Sequence, residues 1–408
     1  MKLRNKLKII NDPIYGFITI PNPLIFDLIE HTYFQRLRRI SQMGLSYLVY
    51  PGAHHTRFHH ALGAMFLMQR GVQVLTFKGI SISEEEEEAL YIAILLHDIG
   101  HGPFSHAMEH SIVENVSHEK ISLLFMEALN REFNGALSLA ITIFKNEHDR
   151  KFLHQLISSQ LDMDRLDYLR RDSFYTGVSE GSVNSQRLIT MLNVSNDQLV
   201  VEEKGIYSVE KFIIARRLMY WQVYLHKTGI VAEQLLLRVL KRAKELTLQG
   251  VHLPASEALS FFLREQILVE TFTDEVLDTF AKLDDYDIIA AMKSWCSVND
   301  FVLSNLSNMV LNRDLLKVKM KKEPFSSSKI SKKLEKVKKR YALSEEEAAY
   351  FVFTGETSNL AYRMDKDTIN LLRKNGKIVD VATASDQFNL KALSKEVVKH
   401  YLCYPKPN

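Results

Sequence analysis

Nine of the fifteen histidines lie between positions 54 and 118, and this clustering is the strongest chemical signal in the 408-residue sequence. One of them, His97, ends an apolar run and is followed by Asp98 and by the helix-breaking stretch 99–103, IGHGP. Imidazole and carboxylate groups are ligands of divalent ions that activate water. We therefore interpret His97 and Asp98 as two ligands of a metal site. The other His-Asp pair, His148-Asp149, lies among charged residues and is typical of a solvated helix start.

The remaining metal ligands must come from other segments. The candidates are His60, in the segment 57–60 (RFHH), and Asp164, in the segment 162–168 (DMDRLDY). A set of two histidines and two aspartates suits one Mn²⁺, Fe²⁺, Mg²⁺ or Zn²⁺ ion per chain, because mixed nitrogen and oxygen ligands discriminate weakly between these metals. The spacing alone leaves both the ligand set and the metal open.

The elements that must position these residues are mostly helices. Apolar residues recur at three- and four-residue steps, which predicts a mainly α fold. A β-like run at 17–20 precedes the helices, and a hairpin is predicted around 203–205. Helices are predicted at 24–43, 57–77, 84–98, 118–133, 147–157, 160–172, 184–193 and 209–249.

The composition excludes disordered and fibrous proteins. Fifty-two Lys and Arg against 49 Asp and Glu give a formal charge of +3, and 46% of the residues are hydrophobic, which is enough for a sizeable core. The two cysteines, Cys296 and Cys403, cannot form a disulfide framework. With no apolar signal region and no apolar stretch of membrane-spanning length, we expect a soluble cytoplasmic protein without a membrane partner.

The C-terminal part differs in composition. Residues 313–340 contain twelve Lys and Arg against three Asp and Glu, and strand-like pieces follow at 350–354, 359–363 and 377–381. We predict three parts, a core at 1–250, a helical extension at 251–312, and a basic segment with a small α+β region at 313–408. The basic segment raises the hypothesis of a nucleic-acid-binding protein whose metal site is secondary.

Six separated motifs resemble, in order, those of the HD-superfamily deoxynucleoside triphosphate triphosphohydrolases, which include the sterile-alpha-motif-and-HD-domain enzyme and its bacterial relatives. The resemblance runs from about residue 11 to residue 230 and fades beyond 250. It implies a helical HD-domain fold for the core. The motifs are 11–16 (NDPIYG), 34–38 (FQRLR), 51–53 (PGA), 57–60 (RFHH), 97–106 (HDIGHGPFSH) and 164–168 (DRLDY).

The resemblance makes His60, His97, Asp98 and Asp164 the metal ligands. It also implies catalytic roles for His101, His106 and His118, in which His106 lies nearest the leaving 5′ oxygen and the other two orient phosphate and water. A protonated imidazole can donate a proton to such an oxygen. Glu109 stands where the family usually has Asp, so the histidine that Glu109 holds stays open.

Substrate contacts follow from the same resemblance. Arg57, Arg165 and Arg216 are candidates for phosphate contact, because a guanidinium fork fits phosphate oxygens. Tyr168, Asp172 and Tyr224 match the sugar-binding side. A possible activator site at a subunit interface matches Glu30, Gln35, Arg38 and Gln42, which also implies a homo-oligomer, a dimer or a tetramer, and a nucleotide activator.

The function that the resemblance implies is metal-dependent hydrolysis of dNTPs to deoxynucleoside and inorganic triphosphate. One alternative is an HD phosphatase or phosphodiesterase that acts on nucleoside monophosphates or short oligonucleotides. The nucleic-acid-binding hypothesis is the second alternative.

Overall fold

The computed structural model describes residues 8–104, 116–268, 271–386 and 393–407. Within these ranges the protein is mainly helical with a small C-terminal α+β region, as predicted. The N-terminal helices are α1 Pro23–Glu30, α2 Thr32–Gln35, α3 Arg57–Phe77, α4 Glu84–Leu96, α5 His118–Glu132, α6 Ser138–Phe144, α7 Lys151–Ile157, α8 Met163–Thr176 and α9 Ser185–Thr190. The later ones are α10 Ile206–Met219, α11 Lys227–Leu248, α12 Glu257–Arg264, α13 Asp274–Ala281, α14 Asp285–Trp295, α15 Phe301–Leu311, α16 Ser327–Tyr341, α17 Glu345–Ala349 and α18 Val381–Ala384.

The strands form three small sheets. A hairpin of β1 (Ile9–Asp12) and β2 (Gly16–Thr19) agrees with the predicted extended start. The second sheet has the order β3-β4-β7-β8, and the third has β9 between β5 and β6. The strands of these two sheets are β3 Leu192–Ser195, β4 Gln198–Glu202, β5 Lys317–Lys321, β6 Phe353–Asn359, β7 Asn370–Leu372, β8 Ile378–Asp380 and β9 Val397–Tyr404.

Helices α3, α4 and α8 form the buried centre that carries the predicted ligands. Helix α4 begins at a capping box in which Ser83 and Glu86 bond each other's backbone N–H groups, and all of its residues from Ala89 to Leu96 are buried. The run of glutamates, 84–88, lies in the first turns, where the helix dipole favours negative charge.

Two predicted helices are interrupted. The predicted helix 24–43 ends at Glu30, because His31 is extended and its Nδ1 accepts a hydrogen bond from the Tyr33 N–H that starts α2. The predicted helix 209–249 ends at Met219 and passes into a π-helical turn, Tyr220–Tyr224, before α11 begins. Such turns occur often at functional sites.

The hairpin prediction was wrong in its position. The turn lies at Asn196-Asp197, where both residues have positive φ, as a two-residue turn between twisted strands requires. Residues 203–205 form a short 3-10 turn that leads into α10.

The small C-terminal region is connected to the helical core through a shared sheet. Strand β7 pairs in parallel with β4, with Leu371 opposite Val201. The basic segment forms β5 and α16, and lysines alternate with half-buried residues along β5. The three-part division at residues 250 and 312 stays a prediction. No helix among the described residues has the length and apolarity to cross a membrane.

Candidate metal centre and substrate cavity

Three of the four predicted ligands converge at one point. His60 on α3, His97 at the end of α4 and Asp164 in the first turn of α8 place one ligand atom each within 4.8 Å of the others. His60 Nε2 lies 3.1 Å from Asp164 Oδ1, and His97 Nε2 lies 3.5 Å from the same oxygen. Both histidines are buried. A divalent ion needs this mixture of nitrogen and oxygen donors at this separation.

The hydrogen bonds of the two imidazoles fix which nitrogen is available. Nδ1 of His60 lies 2.8 Å from Asp167 Oδ2, and Nδ1 of His97 lies 2.7 Å from the carbonyl oxygen of Ile94. Each Nδ1–H therefore donates to a fixed acceptor, which leaves the Nε2 lone pair for a metal. Both Nε2 atoms are buried and make no hydrogen bond to a described residue. The donor set fits a divalent ion.

The local potential also favours a positive charge at this point. Burial opposes protonation of His60, yet the Asp164 and Asp167 carboxylates outweigh it and raise the pKa of His60 to about 10. In the same way, against burial, the pKa of Asp164 is lowered by His60 and His97. A site that attracts a proton this strongly also attracts a metal cation, and the two compete.

Asp98, the fourth predicted ligand, lies between this group and a second one. Its Oδ1 is 3.5 Å from His97 Nε2 and 3.4 Å from His101 Nε2, and its Oδ2 accepts a hydrogen bond of 2.5 Å from Arg57 Nη1. Asp98, His101 and His118 form a second group with metal-ligand spacing. The rings of His101 and His118 stack at 3.9 Å. Against a weaker pull from Asp98, burial and then Arg57 lower the pKa of His101 to about 3.

Gly100 allows the two catalytic candidates to meet. A Cβ at Gly100 would lie 2.3 Å from the carbonyl oxygen of His118 and 2.2 Å from the backbone nitrogen of Ser122. The Gly100 N–H also donates to Ser122 Oγ. The start of α5 can therefore pack directly on the loop after Asp98. The other two catalytic candidates, His106 and Glu109, lie outside the described residues.

A buried ion network fixes Asp167, which in turn orients the candidate ligand His60. Arg171 donates from Nε and Nη2 to the two oxygens of Asp167 and from Nη1 to Asp12 Oδ2, all within 2.9 Å. The same Asp167 orients His60. A Cβ at Gly63 would lie 2.1 Å from both Arg171 and Asp167, so this helix position has room only for glycine.

A cavity of about 630 Å³ opens in front of the ligands. Asp172 lies in its wall and is held by two partners, because Asp172 Oδ1 lies 2.7 Å from His55 Nε2 and Asp172 Oδ2 accepts from the Tyr224 hydroxyl at 2.7 Å. The π-helical turn presents Tyr220 and Tyr224 to the cavity. The predicted site residues that line it are Gln42, Arg57, Asp98, His101, His118, Asp164, Arg165, Tyr168, Asp172 and Tyr224.

The predicted phosphate-binding arginines do not all line the same cavity. Arg57 and Arg165 line the site cavity, whereas Arg216 lines a larger neighbouring cavity to which Arg165 and Tyr220 also belong. Arg165 Nε donates to the carbonyl oxygen of Ser159 and lies 3.3 Å from Asp162 Oδ2.

The predicted activator residues include one pair in direct contact. Gln35 and Arg38 are in contact, because Arg38 Nε donates to Gln35 Oε1 at 2.8 Å, and the Arg38 guanidinium lies 3.6 Å from the centre of the Phe58 ring. Glu30 is exposed at the end of α1. Gln42 lies past the interrupted helix in the wall of the site cavity, with Oε1 buried and without a hydrogen bond to a described residue, and its activator role stays a prediction.

The helical extension, residues 251–312, is hydrogen-bonded to the segments around the site. Arg36 is fully buried and donates to the carbonyl oxygens of Leu283, Ile99 and His101. Asp285 accepts from the backbone N–H groups of Phe104 and Ser41. The loop after the metal ligands is therefore tied to residues more than 180 positions away.

Sequence reasoning missed three supporting residues. Asp167 and Arg36 lie within the motifs 164–168 and 34–38 but have no predicted role, and neither has His55. A signal for Asp167 exists, because Asp164, Tyr168 and Asp172 are four apart on one face of α8, while Asp167 and Arg171 are four apart on the next face. His55 and Arg36 have no such signal, since their partners are distant in sequence.

Comparison with known proteins agrees with this geometry. A model of the HD domain matches residues 57–172, and one of the HD associated region matches residues 183–255. An uncharacterized protein of Bacillus subtilis, YwfO, is 32% identical over 415 residues, which cover 98% of this chain and 92% of that protein. The chain belongs to the HD-domain phosphohydrolase superfamily.

Two further relatives are similar to this chain, one with a crystal structure and one with a named activity. A phosphohydrolase from Bacteroides thetaiotaomicron has a crystal structure that superposes with a TM-score of 0.95 at 53% identity, over 98% of this chain and all of that one. The deoxynucleoside triphosphate triphosphohydrolase SAMHD1 homolog of Dictyostelium discoideum is 33% identical over 246 residues, which cover 55% of this chain and 47% of that protein. This HD phosphohydrolase thus spans about half of that relative's length.

Proposed function

We propose that this HD phosphohydrolase hydrolyses dNTPs to deoxynucleoside and inorganic triphosphate. The observation that carries the proposal is the combination, in one cavity, of a metal-ligand group, arginines for a phosphate chain, and an Asp172–Tyr224 pair suited to a sugar hydroxyl. The name of the Dictyostelium relative adds support for this substrate class.

His60, His97, Asp98 and Asp164 would hold one divalent ion, whose identity stays open among Mn²⁺, Fe²⁺, Mg²⁺ and Zn²⁺. When bound, such an ion polarises phosphate oxygens and lowers the pKa of water. Arg57 orients Asp98 and faces the phosphates, and Arg165 lies further along the phosphate chain.

The other side of the cavity positions the nucleoside. Asp172 can accept from a 3′-hydroxyl, Tyr168 and Tyr224 restrict the space around the 2′ carbon, and Gln42 offers an amide to the sugar or base. His101 and His118 orient phosphate and water, and His106 donates a proton to the leaving 5′ oxygen, with Glu109 as its partner. The water then adds to the α-phosphorus in line with that oxygen.

A phosphatase or phosphodiesterase for monophosphates or short oligonucleotides is the competing function. The arginines argue against it, because a monophosphate placed at the metal ligands would leave Arg165 without a phosphate to bind. Nucleic-acid binding through the basic segment, β5 and α16, is a separate surface property and does not explain the buried metal-ligand group.

We also propose a homo-oligomer, a dimer or tetramer, whose contacts include residues 24–45. A nucleotide activator would bind at this interface through Glu30, Gln35 and Arg38. A guanine nucleotide is the expected activator, because Glu30 can accept from a guanine edge. A cytoplasmic location stays a prediction.

The test is turnover of the four dNTPs with added Mn²⁺ by the wild type, by Asp98→Ala and by Asp149→Ala. Asp98→Ala should lose metal and turnover, because the remaining ligands cannot hold an open site. Asp149 is exposed and belongs to the other His-Asp pair, so Asp149→Ala should behave like the wild type. Wild-type turnover by Asp98→Ala would refute the proposed site.

A further inference from the structure

A second cavity adjoins the substrate cavity and is larger, about 1010 Å³. One wall comes from the HD domain, through residues 151–160 and Arg165, and from the HD associated region, through Arg216. The other comes from the C-terminal region, through residues 358–367 and Glu396. Arg165 and Tyr220 line both cavities, so the two meet at these side chains.

The walls of this cavity are tied together by one buried side chain. Gln160 is 6% exposed, and its Nε2 lies within 3.1 Å of the carbonyl oxygens of Arg363, Lys366 and Asp367. Its Oε1 accepts from the Arg363 N–H. The loop that carries Arg363 and Lys366 is therefore fixed against the HD domain.

The charge distribution of the lining favours an anion. Five cationic side chains line the cavity, Lys151, Arg165, Arg216, Arg363 and Lys366, against three carboxylates, Asp365, Asp367 and Glu396. All three carboxylates belong to exposed residues, whereas Arg216 is only 8% exposed. Arg363 and Lys366 are exposed as well, so the solvent side of the lining carries both signs of charge, whereas its buried part is cationic through Arg216.

A buried polar group in the lining also lacks a partner. Asn359, at the end of β6, is 6% exposed, and its Oδ1 makes no hydrogen bond to a described residue. Burying this acceptor without a donor is costly. A phosphate oxygen is itself an acceptor, so the Asn359 side chain would meet it through its Nδ2 donor after rotation of the amide. Two rings line the cavity among the described residues, Tyr220, which already belongs to the substrate cavity, and the imidazole of His154. The rest of the lining offers mainly charged, amide and hydroxyl groups.

We propose that this cavity binds an extended phosphate chain beyond the third phosphate position of the substrate. The inference rests on the proposed function, which sets the direction in which the phosphate chain points. This phosphate chain has two possible sources. One is the inorganic triphosphate formed in the reaction, once it leaves the reaction site, and the other is the tail of a nucleotide with more than three phosphates. Arg165 and Arg216 stand at the entrance, and Lys151, Arg363 and Lys366 continue the cationic path.

Isothermal titration calorimetry with inorganic triphosphate tests the site without turnover. The double variant Arg363→Ala with Lys366→Ala should bind triphosphate at least about tenfold more weakly than the wild type, the scale of one lost charge-assisted hydrogen bond. The control, Lys374→Ala with Lys377→Ala, removes two exposed lysines outside the cavity and should bind as the wild type does. Unchanged affinity in the first double variant overturns the inference.

Asn359→Ala separates binding from a structural role. If Asn359 had only a structural role, its substitution would lower the melting temperature. We expect Asn359→Ala to keep or raise the melting temperature while it weakens triphosphate binding. A lower melting temperature with unchanged affinity contradicts the assignment.

Kinetics distinguish the two sources. Weaker inhibition of dATP turnover by triphosphate in the Arg363/Lys366 double variant identifies the product as the occupant. A selective loss of kcat/KM for 2′-deoxyadenosine 5′-tetraphosphate, relative to dATP, identifies a longer tail. A double variant that matches the wild type in both measurements overturns the inference. If no dNTP is hydrolysed but the double variant still loses triphosphate binding, the proposed substrate fails and the anion site stands.

Discussion

At the scale of residues, hydrogen bonds within the protein orient the candidate ligand side chains for a metal ion. His60 and His97 each have Nδ1 committed to a fixed acceptor, so their free nitrogens already point at Asp164. The acceptor for His60 is Asp167, which is itself held by two of the three nitrogens of the buried Arg171 guanidinium. Orientation of this kind by outer residues typically contributes a factor of about 10 to 100 in metal affinity.

The prediction for Asp167→Asn follows from this arrangement. An amide cannot fix the Nδ1–H tautomer of His60 in the same way, so we expect metal affinity to fall by about 10- to 100-fold, and turnover with it. Metal content by mass spectrometry and metal titration give the measurement. Asp149→Asn, at an exposed site, is the control. Full metal occupancy at limiting metal in Asp167→Asn would contradict this role.

Asp172 offers a second prediction, about the sugar. If its carboxylate accepts from the 3′-hydroxyl, the wild type should prefer dATP to 2′,3′-dideoxyATP, and Asp172→Ala should reduce that preference about tenfold or more. The ratio of the two kcat/KM values is the measurement, because general damage to the enzyme cancels in it. A ratio unchanged by the substitution would remove Asp172 from the sugar contact.

At the scale of elements, close approaches of α3, α8 and α5 bring the ligands together. Gly63 permits the contact of α3 with α8, and Gly100 permits the contact of α5 with the loop after α4. The π-helical turn positions Tyr220 and Tyr224 at the cavity, since a regular helix through 220–224 would rotate the later residues away from it.

A matched pair of glycine substitutions tests the first contact. Gly63→Ala should destabilise the protein by about 3 kcal/mol, because its methyl group would overlap the buried Asp167–Arg171 pair. Gly229→Ala in α11 meets no atom within 4 Å, so it should be neutral or stabilise by up to about 1 kcal/mol. Denaturant unfolding measures both. Equal stability of the two variants would refute the close contact at Gly63.

The exposed surface formed by α1, α2 and the turn after them carries the activator prediction. Arg38→Ala should abolish any rise in dATP turnover on addition of GTP or dGTP, and any accompanying shift to a larger species in light scattering. Arg70→Ala is the matched control, because Arg70 is also exposed and lies over a ring, Phe66, at 5.3 Å. A wild type with hyperbolic kinetics and no response to guanine nucleotides would refute the regulatory part alone.

At the scale of the whole molecule, the sequence predicted the helical class and the helices that carry the candidate metal ligands, because amphipathic periodicity and helix-breaking residues act locally. It did not predict the break at His31, where a side chain caps the next helix, or the true turn at Asn196-Asp197. The roles of Arg36 and Asp285 could not be predicted from the sequence, because the contacts of both join the N-terminal part of the chain to the distant helical extension.

The most direct measurement of the central claim is product analysis by mass spectrometry after turnover of dATP in water enriched in ¹⁸O. Attack of water on the α-phosphorus with loss of the 5′ oxygen predicts unlabelled deoxyadenosine and inorganic triphosphate that carries one ¹⁸O atom. Formation of dAMP with pyrophosphate, or of dADP with phosphate, would contradict the account.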